Sequence, residues 1–277
     1  MTIDELITLA IREDIGDGDH TSLACISLEA EGKAKLLVKE EGIIAGVEAA
    51  EKVLYHIDKN LDIDVFIKDG TPVKPGDIAF HVSGKSCSIL KAERLMLNIL
   101  QRMSGVATYT NSLTKLIEAY PAKILDTRKT TPNFRMFEKW AVKIGGGENH
   151  RMGLFDMIML KDNHIDFAGG IEKAILAVQL YLKEHCRQLK IEVEARNLDE
   201  VREIMRVGGI HRIMLDNFSI EDMLTAVQMI GKEYETEASG GISEDTIAEI
   251  ASTGVDYISV GAITHRIKSL DMSLKAF

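Results

Sequence analysis

From residue 122 onward one rhythm repeats: a short apolar run ends in a polar residue and a helical pattern follows. The runs are AKILD, DMIMLK, IEVEA, HRIMLD, a weaker TEAS, and YISVG. They end at Asp126, Lys161, Glu194, Asp216, Ser239 and, for the last, the Gly261 turn, and the final four ends are 22, 23 and 22 residues apart. That spacing is the length of one strand-helix unit. Runs so apolar belong to strands buried on both faces, hence to a parallel sheet covered by helices, and this many units imply a (β/α) barrel, whole or incomplete. Barrels place their chemistry at the C-terminal ends of the strands, so the polar residues that close the runs would share one mouth.

The first half of the chain has a different pattern. Ile3, Leu6, Ile7 and Ala10 mark a short amphipathic helix over residues 3–14, which EDIGDGDHTS ends. Asp14, Asp17 and Asp19 in that stretch read as a turn, because a calcium loop needs a further bidentate acid and flanking helices. Alternating segments, AKLLVKEEGIIAG and DVFIKDGTPVKPGDIAFHVSGK, bracket a helix at Val47 to Ile57. Residues 88–120 then turn helical and strongly apolar, with Gly105 expected to break them into two helices and to mark the domain boundary. A polar stripe of Arg94, Asn98, Gln101 and Arg102 follows one edge, with Arg102 read as an ordinary solvated member.

Charge is distributed unevenly. Between Arg94 and Lys161 eleven basic residues face five acidic ones, in a chain whose net charge is −10. An acidic protein repels a nucleic acid at long range, so a local basic cluster suits a small polyanion better. No apolar run approaches the roughly 18–20 residues that span a bilayer, and the N-terminal stretch carries acids where a leader would be basic, so a cytoplasmic protein without membrane contact is expected. Cys25, Cys87 and Cys186 are isolated and odd in number, which argues against disulfides and zinc and for buried thiols.

Within the basic stretch, Arg128 and Arg151 offer planar forks suited to carboxylates, Lys129 and Lys161 add compact charge, and His150 adds a titratable donor. The run Gly145 to Gly147 can turn backbone N–H groups toward an oxyanion. SGG (Ser239, Gly240, Gly241) and VGA (Val260 to Ala262) follow the last two strands, where barrels commonly seat a phosphate. Glu194 and Asp216 close two adjacent strands; they suit Mg²⁺, ribose hydroxyls, or salt bridges to neighbouring basic residues. A phosphate end, a carboxylate-binding end and two acids between them match a sugar-phosphate transfer.

ERLMLNILQRMSGVAT, DTRKTTP, GGGENHRMGLFDMIMLKDNH, IEVEA, IMLDN, EASGGIS and VDYISVGAITH, taken in order, resemble the successive motifs of the quinolinate phosphoribosyltransferase family, the carboxylating nicotinate-nucleotide pyrophosphorylases. The resemblance covers nearly the whole chain. It implies an N-terminal α/β sandwich domain (1–106, joined by 268–277) and an incomplete (β/α) barrel (107–267). The implied reaction joins quinolinate to phosphoribosyl pyrophosphate and yields nicotinate mononucleotide, diphosphate and CO₂, with Mg²⁺ as cofactor. It puts Arg94, Arg128, His150, Arg151 and Lys161 around quinolinate. Thr127, Lys129, Ser239, Gly240, Gly241, Gly261 and His265 would hold the donor. Glu194 and Asp216 would hold the metal, directly or through water, and would act with Lys129 and Lys161 in catalysis. The resemblance further implies a homodimer with shared sites, or a higher oligomer of such dimers. Arg196 and Arg266 depart from the pattern just outside its motifs. Two alternatives stand beside this reading: the same transfer to another heterocyclic acid, and a barrel lyase forming a Schiff base through Lys161.

Overall fold

A computed structural model describes residues 2–277. The chain runs through α1 (Ile3–Ile15), α2 (His20–Cys25), β1 (Glu31–Val38), β2 (Gly42–Ile43), α3 (Val47–Ile57), β3 (Asp62–Val65), β4 (Pro72–Val73), β5 (Ile78–Lys85) and α4 (Ser86–Leu116). It continues through β6 (Lys123–Leu125), α5 (Arg135–Ile144), β7 (Ile158–Leu160), α6 (Asp162–Ala168), α7 (Ile171–Glu184), β8 (Ile191–Ala195), α8 (Leu198–Val207) and β9 (Arg212–Asp216). The last elements are α9 (Ile220–Ile230), β10 (Glu235–Ser239), α10 (Ile247–Ser252), β11 (Tyr257–Ser259), α11 (Ala262–His265) and β12 (Met272–Ala276).

These elements form two compact units. One comprises the residues up to Asn111 with Thr130–Gly146 and Ala262–Phe277; the other comprises Ser112–Lys129 and Gly147–Gly261. The sequence reading groups 107–111, 130–146 and 262–267 with the barrel, whereas contacts draw all three segments into the first unit.

The first unit is built on an antiparallel sheet in the order β12-β1-β5-β3, with a small β2-β4 pair beside it. The C-terminal strand returns to the N-terminal sheet, with Leu274 opposite Leu36. A capping box between Thr2 and Glu5 starts α1, and the Asp19 side chain caps α2, which accounts for the acidic turn without a cation. The helix α4 runs unbroken for 31 residues, contrary to the break expected at Gly105. A Cβ on Gly105 would stand 2.3 Å from the Lys268 carbonyl oxygen, so glycine here admits a crossing backbone and leaves the helix intact.

In the second unit the six expected runs are the six parallel strands, ordered β6-β11-β10-β9-β8-β7. Among the described residues β6 and β7 do not pair with each other, and the sheet is an open barrel. All five residues of β8 are buried, as a strand covered on both faces must be. Asn197 and Ser219 cap α8 and α9, stopping the chain two and three residues after its strand and turning it into the covering helix. Among the described residues no helix is long and apolar enough to cross a membrane. Cys25 and Cys186 are exposed and Cys87 is partly so, against the expectation of three buried thiols.

Candidate active site

Because side chains alternate along a strand, register decides which residues meet inside the barrel. Glu192 on β8 pairs in register with Arg212 on β9, and Glu194 with Met214. On β10, Glu235, Glu237 and Ser239 stand opposite Arg212, Met214 and Asp216. One face of three neighbouring strands therefore carries Glu192 and Glu194, then Arg212, Met214 and Asp216, then Glu235, Glu237 and Ser239, with Asp216 and Ser239 at the C-terminal edge.

Above that face lies a cavity of about 290 Å³. Four cations line it: Arg128 and Lys129 from the loop after β6, Arg151 from the loop before β7, and Lys161 from the end of β7. Thr127 and His150 lie among them, Ser239 and Ser259 border it from β10 and β11, and Met159 and Met214 add apolar surface. All these residues belong to the second unit. Arg94, exposed on α4, and His265, the last residue of α11, belong to the first.

Local bonds aim these side chains. The fully buried Asp126 accepts hydrogen bonds from the His150 backbone N–H at 2.9 Å and from the Asn149 amide, so it anchors the loop that carries Arg151. That is a supporting role, and the carboxylate expected at the mouth is engaged by one backbone N–H and one side-chain amide. Thr127 Oγ1 accepts from the Lys129 N–H at 3.1 Å. Arg151 Nη1 donates to the Met157 carbonyl at 3.3 Å, while burial and then the Arg128 charge lower its pKa. An anion between the two guanidiniums would relieve that repulsion.

Lys161 sits at the N-terminus of α6, its N–H donating to His164 Nδ1 at 3.1 Å and its ammonium to Glu194 Oε2 at 3.1 Å. Of the roles open to Glu194, the salt bridge is the one formed here. Asp216 accepts from the Asn217 amide at 2.6 Å. Asn217 has φ +56° and Gly240 φ +101°; a Cβ on Gly240 would meet the Asn217 side chain at 2.2 Å, so the turns after β9 and β10 touch only because one of them is glycine.

Beneath the cavity His150 meets two buried acids. Its Nε2 lies 2.9 Å from Glu192 and 3.4 Å from Glu237, and its Nδ1 accepts the Arg151 N–H at 2.7 Å. Arg212 binds Glu237 at 2.8 Å and Glu235 at 3.0 Å, with its guanidinium over the Tyr257 ring. Burial lowers the His150 pKa, but hydrogen bonds and charges from Glu192 and Glu237 outweigh it and hold the ring up to about 9. Burial and the neighbouring Glu237 charge raise Glu192; Glu237, desolvated too, is brought low by His150 and Arg212. Since the Arg151 N–H occupies Nδ1, the extra proton belongs to the His150–Glu192 pair as a whole.

His150, Glu192 and Glu237 are, among the described residues, the group able to offer three metal-ligating atoms within 4.8 Å of one another. Arg212 pairs with Glu237 at 2.8 Å, so one of the two carboxylates already has a cationic partner. Sequence reasoning passed over Glu192, Arg212 and Glu237. The available signal was the alternation in IEVEA, RIMLD and ETEAS: a charge inside a strand buried on both faces has only the barrel interior to face. The Gly145 to Gly147 run has at least a packing role, because a Cβ on Gly145 would meet the Ala107 carbonyl at 2.5 Å. Arg196 pairs with Glu200 and Asp166 on the surface, so this departure from the family pattern is a solvated one.

Two domain-family models match the chain: the N-terminal domain of quinolinate phosphoribosyl transferase over residues 19–104 and its C-terminal domain over 106–275. The chain belongs to the quinolinate phosphoribosyltransferase family. It is 45% identical to the mitochondrial quinolinate phosphoribosyltransferase (decarboxylating) 2 of Nicotiana glauca, across 98% of this chain and 81% of that protein. The NadC structure from Streptococcus pyogenes superposes with a TM-score of 0.93 at 38% identity, covering 99% of this chain and 95% of its own. The nicotinate-nucleotide pyrophosphorylase from Francisella tularensis gives 0.91 at 42%, covering 99% and 96%. The two family models for quinolinate phosphoribosyl transferase meet at Gly105, in the middle of the unbroken α4.

Proposed function

We propose that this chain transfers the phosphoribosyl group of phosphoribosyl pyrophosphate to quinolinate, releasing diphosphate and CO₂ and forming nicotinate mononucleotide for NAD synthesis. The observation that carries the reading is the convergence of Arg128, Lys129, Arg151 and Lys161 on one cavity that also reaches the phosphate-suited ends of β10 and β11. The two arginines take the carboxylates of the acid. Lys129 and the turns after β10 and β11 take the donor's phosphates.

As the bond from C1 to diphosphate breaks, the ribose gains oxocarbenium character, which the carboxylates of Glu194 and Asp216 stabilise from the strand ends. Lys129 offsets the charge that develops on the leaving diphosphate. The pyridine nitrogen then bonds to C1. Once it is quaternary it stabilises the electron pair left at C2 when the adjacent carboxylate departs as CO₂, and a proton takes that place. Glu194 and Asp216 end adjacent strands on one face and offer the hard oxygens that suit Mg²⁺. When bound there, the ion would neutralise charge on the donor's diphosphate.

The finer parts of the proposal are a homodimer in which Arg94 serves the partner's site, and a cytoplasmic location. Supporting the first are the exposure of Arg94 and, on the second unit, of Leu154, Phe155 and Phe167, the last 91% exposed. Supporting the second are three unpaired cysteines, ordinary in a reducing compartment. The Schiff-base alternative fares worse: a lysine nucleophile wants an apolar pocket, and Lys161 faces a carboxylate at 3.1 Å. Incubating the protein with quinolinate, phosphoribosyl pyrophosphate and Mg²⁺ should give CO₂ and nicotinate mononucleotide in equal amounts. Folded protein that forms neither overturns the assignment.

A further inference from the structure

In the first unit Arg102, read from sequence as a solvated residue, is engaged on all sides. Its Nε and Nη2 donate to Glu138 Oε1 at 3.0 and 2.7 Å, its Nη1 donates to the Ile267 carbonyl at 3.1 Å, and Nη2 also reaches the Thr264 carbonyl. Glu138 is fully buried and both its oxygens are used: Oε1 also accepts the Thr131 hydroxyl at 2.9 Å, and Oε2 accepts the Thr131 N–H at 3.0 Å. The pair therefore gathers α4, α5, the loop at Thr131 and the segment from Thr264 to Ile267.

Those two irregular segments are adjacent in the chain to proposed donor contacts. Thr131 follows Lys129 by two residues; Thr264 precedes His265 and follows Gly261 by three. Neither segment is held by a long helix or strand of its own. The first passes through Asn133 at φ +61°, and the second is a helix of four residues whose last carbonyls need donors. For stability alone a buried ion pair is a poor device, since apolar side chains of similar volume serve as well or better. What a guanidinium on a carboxylate adds is direction: several bonds at fixed angles to two separate backbones.

We propose that Arg102 and Glu138 are positioning residues for the phosphoribosyl donor, clamping the loop at Thr131 to the segment from Thr264 to Ile267 and so setting the proposed donor contact His265. The inference rests on the proposed reaction, and its test separates the two. Thr131→Val removes one bond of the clamp at an exposed position. Arg102→Lys keeps the charge but replaces the fork by a point donor that cannot serve all its acceptors. In both variants KM for phosphoribosyl pyrophosphate should rise on the order of tenfold, and proportionally more than KM for quinolinate, with the melting temperature nearly unchanged for Thr131→Val. Amide exchange should quicken in residues 262–268 of Thr131→Val, although that side chain touches none of them. Unchanged donor KM in both variants overturns the proposal, as does exchange confined to the mutated segment. If the wild type turns over neither substrate the reaction assignment fails, and the exchange measurement still decides whether the clamp couples the two segments.

Discussion

His150 Nε2 lies 2.9 Å from a carboxylate oxygen of Glu192, with both side chains buried under a cavity lined by four cations. Placed so, the histidine faces the ligand space with both ring nitrogens engaged by protein, Nε2 with the acids and Nδ1 with the Arg151 N–H. It fixes the Arg151 backbone and gives the acids beneath the basic pocket a proton to share.

That sharing gives stability a pH dependence. In the folded protein His150 together with Glu192 holds the shared proton up to about 9, against the ordinary 6.5 of a free ring. A raised pKa contributes stability fully below the unfolded value and loses it as pH climbs through the folded one, so wild-type protein should lose stability between about pH 6.5 and 9, by on the order of 3 kcal/mol. Glu192→Gln keeps an acceptor and removes the charge, so its melting temperature should vary less across that window. Parallel curves for the two proteins would refute this account.

Gly105→Ala should destabilise the protein although it improves a helix. The gain in helix propensity is about 1 kcal/mol, while forcing a methyl into a packed crossing costs ~1–3 kcal/mol or more. The atom in the way is the Lys268 backbone carbonyl at 2.3 Å, which cannot rotate aside as a side chain would. Denaturant titration should show a lower midpoint; a midpoint equal to wild type would mean that the crossing backbone yields easily.

The Arg128 and Arg151 pair should make recognition depend on both carboxylates. Nicotinate lacks one of them and leaves a guanidinium without its partner, so kcat/KM should fall by about a hundredfold or more. Competition assays with the two acids measure the ratio directly, and comparable turnover counts against the assignment of the basic end.

Removing a strand-end acid should act at the other end of the pocket. Glu194→Gln and Asp216→Asn are expected to raise the Mg²⁺ concentration needed for half-maximal rate, or to lower kcat by about tenfold to a hundredfold, while quinolinate binding by calorimetry changes little. Glu194→Gln also releases Lys161 from its 3.1 Å ion pair, so a modest shift in quinolinate affinity is expected for that variant alone. Lost quinolinate binding with unchanged metal dependence would reverse the two ends.

The shared-site proposal predicts complementation. Arg94→Ala and Lys161→Ala chains, each inactive, should regain roughly a quarter of wild-type activity when unfolded together in equal amounts and refolded, because half the dimers are mixed and each holds one intact site of two. Mixed dimers confirmed by mass without recovered activity would place Arg94 outside the partner's site.

Much of this protein was set by its sequence alone. Six apolar runs with polar ends became six parallel strands, since a strand covered on both faces needs continuous apolar side chains and that requirement is visible one residue at a time. Arg128 and Lys129 lie just beyond β6 and Lys161 just beyond β7, and these basic residues line one cavity with Arg151. Three decisions waited for the tertiary structure. Gly105 looked like a helix breaker because propensity is a local quantity, whereas its role depends on a backbone 163 residues further along the chain. Arg102 looked solvated because its helix stripe is polar, and only the approach of α5, α11 and the residues just after α11 gave it a buried carboxylate and two carbonyls. Glu192, Arg212 and Glu237 drew no notice in the sequence, and strand register set them on one face. Register and long-range approach are properties of pairs of segments, and pairs distant in sequence meet only when the chain has folded.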